Sequence, residues 1–388
     1  MRLIVLAQLF GTSLWFSANS AADPLRAAWG LSLADIGALT NAVQLGFILG
    51  TFAFALSGLA DRYPASRLFA VCATLGAVFN ALFALAARDL VDGLVLRFAV
   101  GLALAGVYPV GMKLVVGWAP QRAGQTLAWL VGMLTLGTAL PHGLRALGSH
   151  WPWQVTLLAS SVLAVGAAVL VWRLGDGPHA AHRSAGAQPA FQRGALANFR
   201  LSAFRASALG YFGHMWELYA FWALTPALLV VAGVAQPGSA ALSAWSFAII
   251  GIGLLGCVAS GQASLRIGSA RAAAVALGGS ALCCALFPWT TGWPAAATVS
   301  LLLLWGLCVV ADSPQFSALS ARAAAPSQVG SALAIQNAIG FAITLVSIQL
   351  GTALVESWGR QVAWLLLPGP LLGLWGLWPL WRRADRPL

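Results

Sequence analysis

Two ionisable side chains lie close together inside a long apolar stretch, where they could carry protons. His214 and Glu217 are three residues apart, which places both on one face of a helix. A carboxylate removed from water is protonated more readily, and histidine already titrates near neutral pH. The spacing therefore predicts a pair that loads and releases a proton, with Glu217 as the coupling residue and Tyr211 one turn before His214. The alternative is a structural hydrogen bond that fixes this helix against a neighbour.

Two further charged residues interrupt apolar stretches. Asp312 stands two residues before Pro314. Because a proline frees a backbone carbonyl in the preceding turn, an acid beside it can bind a proton or a cation, although it can equally cap the broken helix. Lys113, the only lysine in the chain, is predicted to attract an anionic solute or to pair with an acid across a cavity. The alternative is that Lys113 extends to the lipid headgroups.

Neutral polar and aromatic side chains at similar depths extend the candidate site. Trp15, Trp216 and Trp222 are predicted to line a cavity. Polar groups in membrane helices link helices more often than they bind ligands. Taken singly, the remaining candidates are therefore more readily explained as helix contacts: Asn19, Gln44, Tyr108, Gln336 and Asn337.

The elements that must position these residues are membrane helices. Of 388 residues, 60% are hydrophobic and 8% are charged, against roughly 25% charged residues in a soluble domain, so lipid must surround most of the chain. A helix needs about 20 mainly apolar residues to cross the hydrocarbon layer. The first apolar run is interpreted as a retained span and not as a signal peptide. Twelve spans are predicted, at 4–22, 36–57, 69–87, 93–116, 124–146, 153–173, 203–231, 241–260, 272–290, 295–317, 329–351 and 362–381.

The distribution of basic residues predicts the orientation of these spans, because Lys and Arg resist translocation. If both termini are cytoplasmic, the other side holds only Arg26, Arg88 and Arg360 in loops, with Arg97 and Arg145 near helix ends. The net charge of +11 is then a consequence of topology. The bases are spread thinly between apolar stretches, so no nucleic-acid partner is expected. The cytoplasmic side would hold Arg62, Arg67, Arg122, Arg173, Arg183, Arg193, Arg200, Arg205, Arg266, Arg271, Arg322, Arg382, Arg383 and Arg386.

The chain repeats itself about a polar linker at 175–202, which separates a first half, 1–174, from a second half, 203–388. Matching residues recur at offsets of 204 or 205 residues: Arg62 with Arg266, Arg67 with Arg271, Gly101 with Gly306 and Pro109 with Pro314. The sequence therefore indicates a duplicated six-helix unit. Parallel halves related by an axis along the membrane normal are typical of alternating-access transporters, whose solute site lies between the halves near the midplane.

Two motifs resemble the major facilitator superfamily. The signature Gly-x-Leu-Ala-Asp-Arg-x-Gly-Arg-Arg is matched at Leu59, Ala60, Asp61 and Arg62, with Ser57 in place of its first glycine and Pro64 and Ala65 in place of its Gly-Arg. Arg97, Gly101 and Ala105 resemble the fourth-helix pattern Arg-x-x-x-Gly-x-x-x-Ala. The resemblance covers nearly the whole chain. It implies an all-α membrane fold of twelve helices in two pseudo-symmetric six-helix bundles.

The same resemblance implies roles for the charged residues of these motifs. Asp61, Arg62 and Arg67 would form a charge-pair latch at the cytoplasmic mouth; the alternative is that Arg62 and Arg67 only fix the orientation. Arg97 would have a buried role in coupling or in helix contacts. The stretch 108–122 is similar to the branch that holds nitrate/nitrite, cyanate and small organic anion carriers, but nitrate carriers place an arginine inside spans two and eight. This sequence has none there.

We therefore expect a monomeric secondary transporter of a bacterial inner membrane, coupled to protons, with a small organic anion as the favoured solute. A drug or metabolite efflux antiporter of the same fold is the alternative. The sequence lacks the motifs of hydrolases and metalloproteases and the charge rings of channels, so an enzyme or a channel is not expected. The five cysteines have no metal-ligand spacing, and no metal or cofactor is expected.

Overall fold

The computed structural model describes residues 2–119, 123–180, 193–325 and 328–382, apart from the side chains of residues 60, 61, 123–125 and 193. Within these residues the secondary structure is helical and no strand occurs. Ten segments are long and apolar enough to cross a membrane, and the last of them, Val329–Arg382, contains two spans. With the shorter N-terminal helices these make twelve spans, so the predicted all-α fold of twelve helices is confirmed.

We number the spans in chain order. Span one is Arg2–Thr12 and Ser17–Ser20, and Ala22–Trp29 continues it. Four later spans are broken once: span four (Leu90–Leu104, Tyr108–Trp118), span eight (Ala240–Gly251, Gly253–Ile267), span ten (Ala295–Ala311, Ser313–Ala323) and span twelve (Ala363–Leu366, Pro368–Arg382). The others are span two (Leu33–Ser57), three (Ala65–Ala86), five (Ala123–Leu147), six (Trp153–Leu174), seven (Ser202–Val231), nine (Ser269–Leu286) and eleven (Val329–Trp358). Short helices connect them at Leu59–Arg62, Arg193–Arg200, Phe287–Trp289 and Gly359–Val362.

Each half packs its spans in the same way. Span two contacts span four, and span eight contacts span ten. A Cβ added at Gly101 would collide with the Val43 carbonyl, and one added at Gly306, its repeat partner, would collide with the Ile249 carbonyl. Glycine at these crossings lets two helix backbones approach closely. The sequence repeat therefore corresponds to a repeated helix crossing.

Spans four and ten also break at equivalent places. Span four stops at Leu104 and restarts at Tyr108, and span ten stops at Ala311 and restarts at Ser313. Pro109 and Pro314 each lie in the first turn of the second segment, where the missing proline N–H has no helical partner to lose. Span one differs from the predicted continuous helix, because it is interrupted between Thr12 and Ser17.

The two ends of the molecule can be distinguished by their connections. At one end, the Asp176 carboxylate accepts hydrogen bonds from the backbone N–H groups of Ala65 (3.1 Å) and Ser66 (2.7 Å), and Trp118 Nε1 donates to the Gly175 carbonyl (3.3 Å). We name this end, which carries the start of the 175–202 linker, the linker face. The other end, which carries the connections between spans one and two, five and six, and seven and eight, is the opposite face.

Candidate functional site

The break in span one is held by a buried arginine of span four. Arg97 is fully buried. Its Nη1 donates to the Leu14 carbonyl (3.1 Å), Ser17 Oγ (3.1 Å) and Asn80 Oδ1 (3.0 Å), and its Nη2 donates to the carbonyls of Leu14 and Trp15. Carbonyls left free by an interrupted helix need such donors in a membrane interior. The guanidinium therefore replaces the missing helical hydrogen bonds and fixes where Trp15 points.

Between the two halves lies an aromatic cluster, consisting of Trp15, Phe16, Phe47, Tyr219, Trp222 and Phe341. Ring centroids of Trp15 and Phe47 are 4.8 Å apart, and Phe47 reaches Phe341 of the second half at 4.6 Å. Phe16 meets Trp222 edge to face at 6.1 Å. Trp15 Nε1 donates to Gln44 Oε1 (3.1 Å). This cluster joins spans one and two to spans seven and eleven at the centre of the molecule.

A chamber of about 240 Å³ adjoins the aromatic cluster on its opposite-face side. Both halves contribute to its wall, among them Asn19, His142, Arg145, Ser246 and Thr352. Sites for drug-sized ligands occupy about 300–1,000 Å³, so this volume suits a smaller solute. Asn19 Nδ2 is held by Thr40 Oγ1 at 2.9 Å.

Two contacts between the halves span the opposite-face end of the chamber. Arg26 Nη2 lies 2.8 Å from Glu356 Oε1 and joins the segment after span one to span eleven. The Gly238 N–H donates to Asp23 Oδ2 at 2.6 Å and joins that segment to the connection between spans seven and eight. All four residues belong to the chamber wall. We name this pair of contacts the outer gate.

Span five supplies two basic side chains to the chamber. His142 is 2% exposed, and its Nε2 has no hydrogen-bond partner among the described residues. Arg145, one turn later, donates from Nη1 to the Trp151 carbonyl at 2.6 Å and is close enough to Asp23 for the two charges to interact. The chamber therefore holds fixed charges of both signs and one titratable imidazole.

His214 and Asp312 form a buried pair inside the second half. His214 Nδ1 lies 2.8 Å from Asp312 Oδ1, without the alignment of a hydrogen bond, and His214 Nε2 is 2.8 Å from Ser313 Oγ. Asp312 precedes the second segment of span ten but makes no side-chain capping hydrogen bond. The capping explanation considered for this residue therefore does not describe its side chain.

Glu217 contacts span ten, as His214 does, but it has different partners and also reaches span nine. Its Oε1 accepts from Ser280 Oγ (2.6 Å), Trp305 Nε1 (2.6 Å) and Cys284 Sγ (3.1 Å). These donors belong to spans nine and ten. Glu217 is thus enclosed within the second half, and neither Glu217 nor His214 belongs to the chamber wall.

The remaining predicted residues lie in three places. Tyr108 is partly buried against the apolar core, and the Tyr211 ring centroid is 6.0 Å from that of His214. On span eleven, Gln336 is buried and Asn337 is half-buried. Trp216 does not join the aromatic cluster, because its Nε1 donates to the Leu365 carbonyl of span twelve at 2.8 Å.

Lys113 and the predicted latch lie at the linker face. Lys113 lines a cavity of about 350 Å³ together with Tyr63, Asp176 and His179, away from the chamber between the halves. Arg62 is exposed, and the Arg67 guanidinium lies 6.0 Å from the ring centroid of Trp172. The side chain of Asp61 lies outside the described residues.

The family follows from the sequence as a whole. The model of the Major Facilitator Superfamily matches residues 4–345. The chain belongs to the Major Facilitator Superfamily. Proteins of this superfamily are transporters with small-molecule substrates, and this member is a multi-pass integral membrane protein.

Two curated proteins are similar to parts of this superfamily member. The membrane sensor protein UhpC of Salmonella typhimurium is 27% identical over 192 residues, which cover 46% of this chain and 41% of UhpC. The putative niacin/nicotinamide transporter NiaP of Bacillus subtilis is 28% identical over 163 residues, covering 40% of this chain and 38% of NiaP. The matched regions thus span about two fifths of each relative.

Among solved structures, the proton:xylose symporter XylE shares the fold. The TM-score is 0.75 at 13% identity, and the match covers 99% of this chain and 95% of XylE. At this identity the likeness concerns the arrangement of helices alone. It agrees with a superfamily fold whose two six-helix bundles meet along spans two and eleven and along spans five and eight.

Sequence reasoning missed His142 as a candidate in this superfamily member and placed Arg145 merely near a helix end. The sequence does contain a signal for this pair. His142 and Arg145 are three residues apart within an apolar stretch, as are His214 and Glu217. The decisive fact is that span five packs against span eight of the other half. That contact turns this face of span five toward the chamber.

Proposed function

We propose that this protein is a secondary transporter that moves a small polar solute by alternating access. Its two bundles, 1–174 and 203–388, would rock about the chamber, with the linker face and both termini in the cytoplasm of a bacterial cell. The observation that carries the proposal is the chamber itself, which is lined by both halves and spanned at the opposite face by contacts between them. A site shared by two halves must open when they move apart.

A small organic anion is the solute class that we propose. The chamber of about 240 Å³ contains Arg26, Arg145 and His142, which can donate hydrogen bonds to a carboxylate. Lys113, the residue that first suggested an anion, lines a different cavity and adds no charge to the chamber. One relative is named as a putative niacin/nicotinamide transporter, which makes nicotinate a suitable anionic probe and nicotinamide its neutral counterpart.

We further propose that transport is coupled to protons through Glu217 and the His214–Asp312 pair. Ionisable groups are costly in a membrane interior and usually mark ion or proton pathways. Asp312 lies at the break of span ten, so a change in its charge can alter how the two segments of that span pack. The fold is shared with a protein named as a proton:xylose symporter, which makes xylose a second neutral probe.

Counterflow in proteoliposomes tests the transport function directly. Vesicles loaded with unlabelled nicotinate, nicotinamide or xylose are diluted into the same labelled compound. A carrier produces a transient, saturable accumulation of label, because internal unlabelled solute drives exchange. Flux that rises linearly with concentration would indicate a channel, and no protein-dependent flux for any of the three probes would contradict the proposal.

The similarity to UhpC, named as a membrane sensor, supports a second candidate function. A sensor binds its solute without carrying it across the membrane. It would therefore raise the thermal unfolding midpoint in the presence of a probe, since ligands of the native state stabilise it, while giving no counterflow. Counterflow of the same probe separates the two functions.

A further inference from the structure

The chamber contains one titratable group that no contact in the described chain uses. His142 follows Pro141 in span five, and its side chain forms part of the chamber wall. Its Nε2 is buried and makes no hydrogen bond to any described residue. Buried polar atoms in native proteins almost always have a partner. A solute in the chamber is the group placed to supply one.

The fixed charges around His142 cancel. Span one and its continuation provide Asp23 and Arg26, span five itself provides Arg145, and span eleven provides Glu356. Span eight, which packs against span five, contributes only neutral residues to the wall, such as Ser243 and Ser246. Arg26 is paired with Glu356, and Asp23 interacts with Arg145. The two arginines and two carboxylates therefore leave the empty chamber without net charge.

An anion bound against the buried His142 would lie partly out of water as an uncompensated charge. Removing a carboxylate from water is costly unless an opposite charge accompanies it. The two carboxylates of the wall already balance the charges of its two arginines, so the compensating charge must come from elsewhere. Protonation of His142 supplies it, and the protonated ring also directs a charge-assisted hydrogen bond from Nε2 into the chamber.

We propose that the chamber is a binding site for a small organic anion together with one proton, with His142 as the group that holds the proton and contacts the solute. This inference rests on the proposed transport function. It adds His142 as a contact of the solute and a stoichiometry of one proton per anion. No covalent bond changes. The proton binds Nε2 when the anion enters, and it leaves with the anion when the chamber opens to the other side. This proton is distinct from any carried by Glu217 or by His214 and Asp312, which lie outside the chamber wall.

Nicotinate and nicotinamide provide the test, because they share a ring and differ in charge. We expect wild-type protein to take up close to one proton per nicotinate bound at about pH 8, where a free imidazole is mostly neutral, and none per nicotinamide. Calorimetric titration in two buffers of different ionisation enthalpy measures this uptake without any variant. We also expect the KM for nicotinate to rise roughly tenfold per pH unit above neutrality, as linkage to one proton requires.

Substitution of His142 assigns the proton to this residue. In His142→Gln, which keeps an amide donor, the KM for nicotinate is expected to change less than about twofold over the same pH range, with no proton uptake. His150→Gln is the matched control, since His150 is exposed outside the chamber, and it should retain the wild-type pH dependence. A gel-filtration volume and a helical circular dichroism spectrum equal to those of the wild type would establish that His142→Gln is folded; if it is not folded, the wild-type proton count decides.

The outcomes separate this inference from the proposed function. Nicotinate transport with an unchanged pH dependence in His142→Gln, or nicotinate binding without proton uptake in the wild type, would overturn the role of His142. Counterflow of nicotinamide or xylose without any nicotinate counterflow would overturn the anion site while leaving the transporter intact. Counterflow of none of the three probes would remove the transport function, and this inference with it.

Discussion

At the scale of single residues, hydrogen bonds of buried polar side chains hold spans one and seven against their neighbours. Arg97 satisfies carbonyls that the break in span one leaves without helical partners, and Glu217 collects three donors from spans nine and ten on one oxygen. Both are enclosed by protein. In such surroundings, removing one partner is more costly than the net value of the hydrogen bond, because the other partner stays buried and unpaired.

Arg97→Lys tests the hydrogen bonding of the span-one break. Lysine keeps the charge but lacks the planar fork with which arginine reaches several acceptors at once. We expect a loss of about 1.5–3 kcal/mol for each charge-assisted hydrogen bond that is not replaced, measured as a lower thermal unfolding midpoint in detergent. The exposed Arg88 offers a control, since Arg88→Lys should leave the midpoint unchanged. Equal midpoints for the two variants would show that the charge alone holds the break.

Glu217 allows the structural role and the coupling role to be separated. Glu217→Gln keeps an oxygen for Ser280 and Trp305 but cannot ionise, so it should remain folded and exchange solute while losing accumulation driven by a pH gradient. Glu217→Ala leaves those donors without an acceptor and should destabilise the protein by roughly 1–3 kcal/mol per unsatisfied group. Uphill transport that persists in the Gln variant would remove Glu217 from coupling.

At the scale of helices, close crossings within each half depend on glycine. Gly101 and Gly306 occupy equivalent crossings, where the added Cβ would meet a backbone carbonyl of the neighbouring span. A backbone atom cannot move aside as a flexible side chain can. The helices themselves must therefore separate, and overpacking of this kind typically costs about 1–3 kcal/mol.

Gly101→Ala and Gly306→Ala are therefore expected to lower the unfolding midpoint. Matched controls lie in spans six and nine, since a Cβ at Gly166 or Gly278 would meet no atom within 4 Å. Those substitutions should be neutral or stabilising, because alanine favours a helix over glycine by about 1 kcal/mol. A similar midpoint for all four variants would mean that the crossings relax without cost.

At the scale of the whole molecule, the outer gate links the halves through few contacts. The Arg26 and Glu356 side chains are 28% and 59% exposed, and exposed ion pairs contribute about 0–1 kcal/mol. Such a weak contact can hold the chamber closed while still opening in a transport cycle. A strong, fully buried pair at this place would trap one state.

Charge reversal at the outer gate tests this linkage. Glu356→Arg should place like charges together at the outer gate. With Ser243→Cys as a reporter cysteine in the chamber, its labelling rate by a maleimide added from the opposite face should then rise by up to roughly fivefold. Adding Arg26→Glu to the same protein should restore slow labelling, whereas Arg88→Glu, on the same face, should have no effect. A double variant that labels as fast as Glu356→Arg would disprove the pairing.

The number of spans, their apolar character and the duplication follow from the sequence alone, because they depend on local composition and on a repeat that can be counted along the chain. The sequence also placed His214 and Glu217 on one helix face, and in the structure both contact span ten, through Ser313 and Trp305. It could not provide their partners. Ser280, Trp305 and Ser313 are 63 to 99 residues away in the chain.

Which polar residues line the chamber depends on the tertiary structure. His142 and Arg145 have the same spacing as His214 and Glu217, yet the first pair lines the chamber and the second is enclosed in one bundle. The rotation of a helix about its axis is set by packing against all its neighbours at once. That rotation cannot be derived from one helix alone, and it determines whether a polar side chain contacts solute or protein.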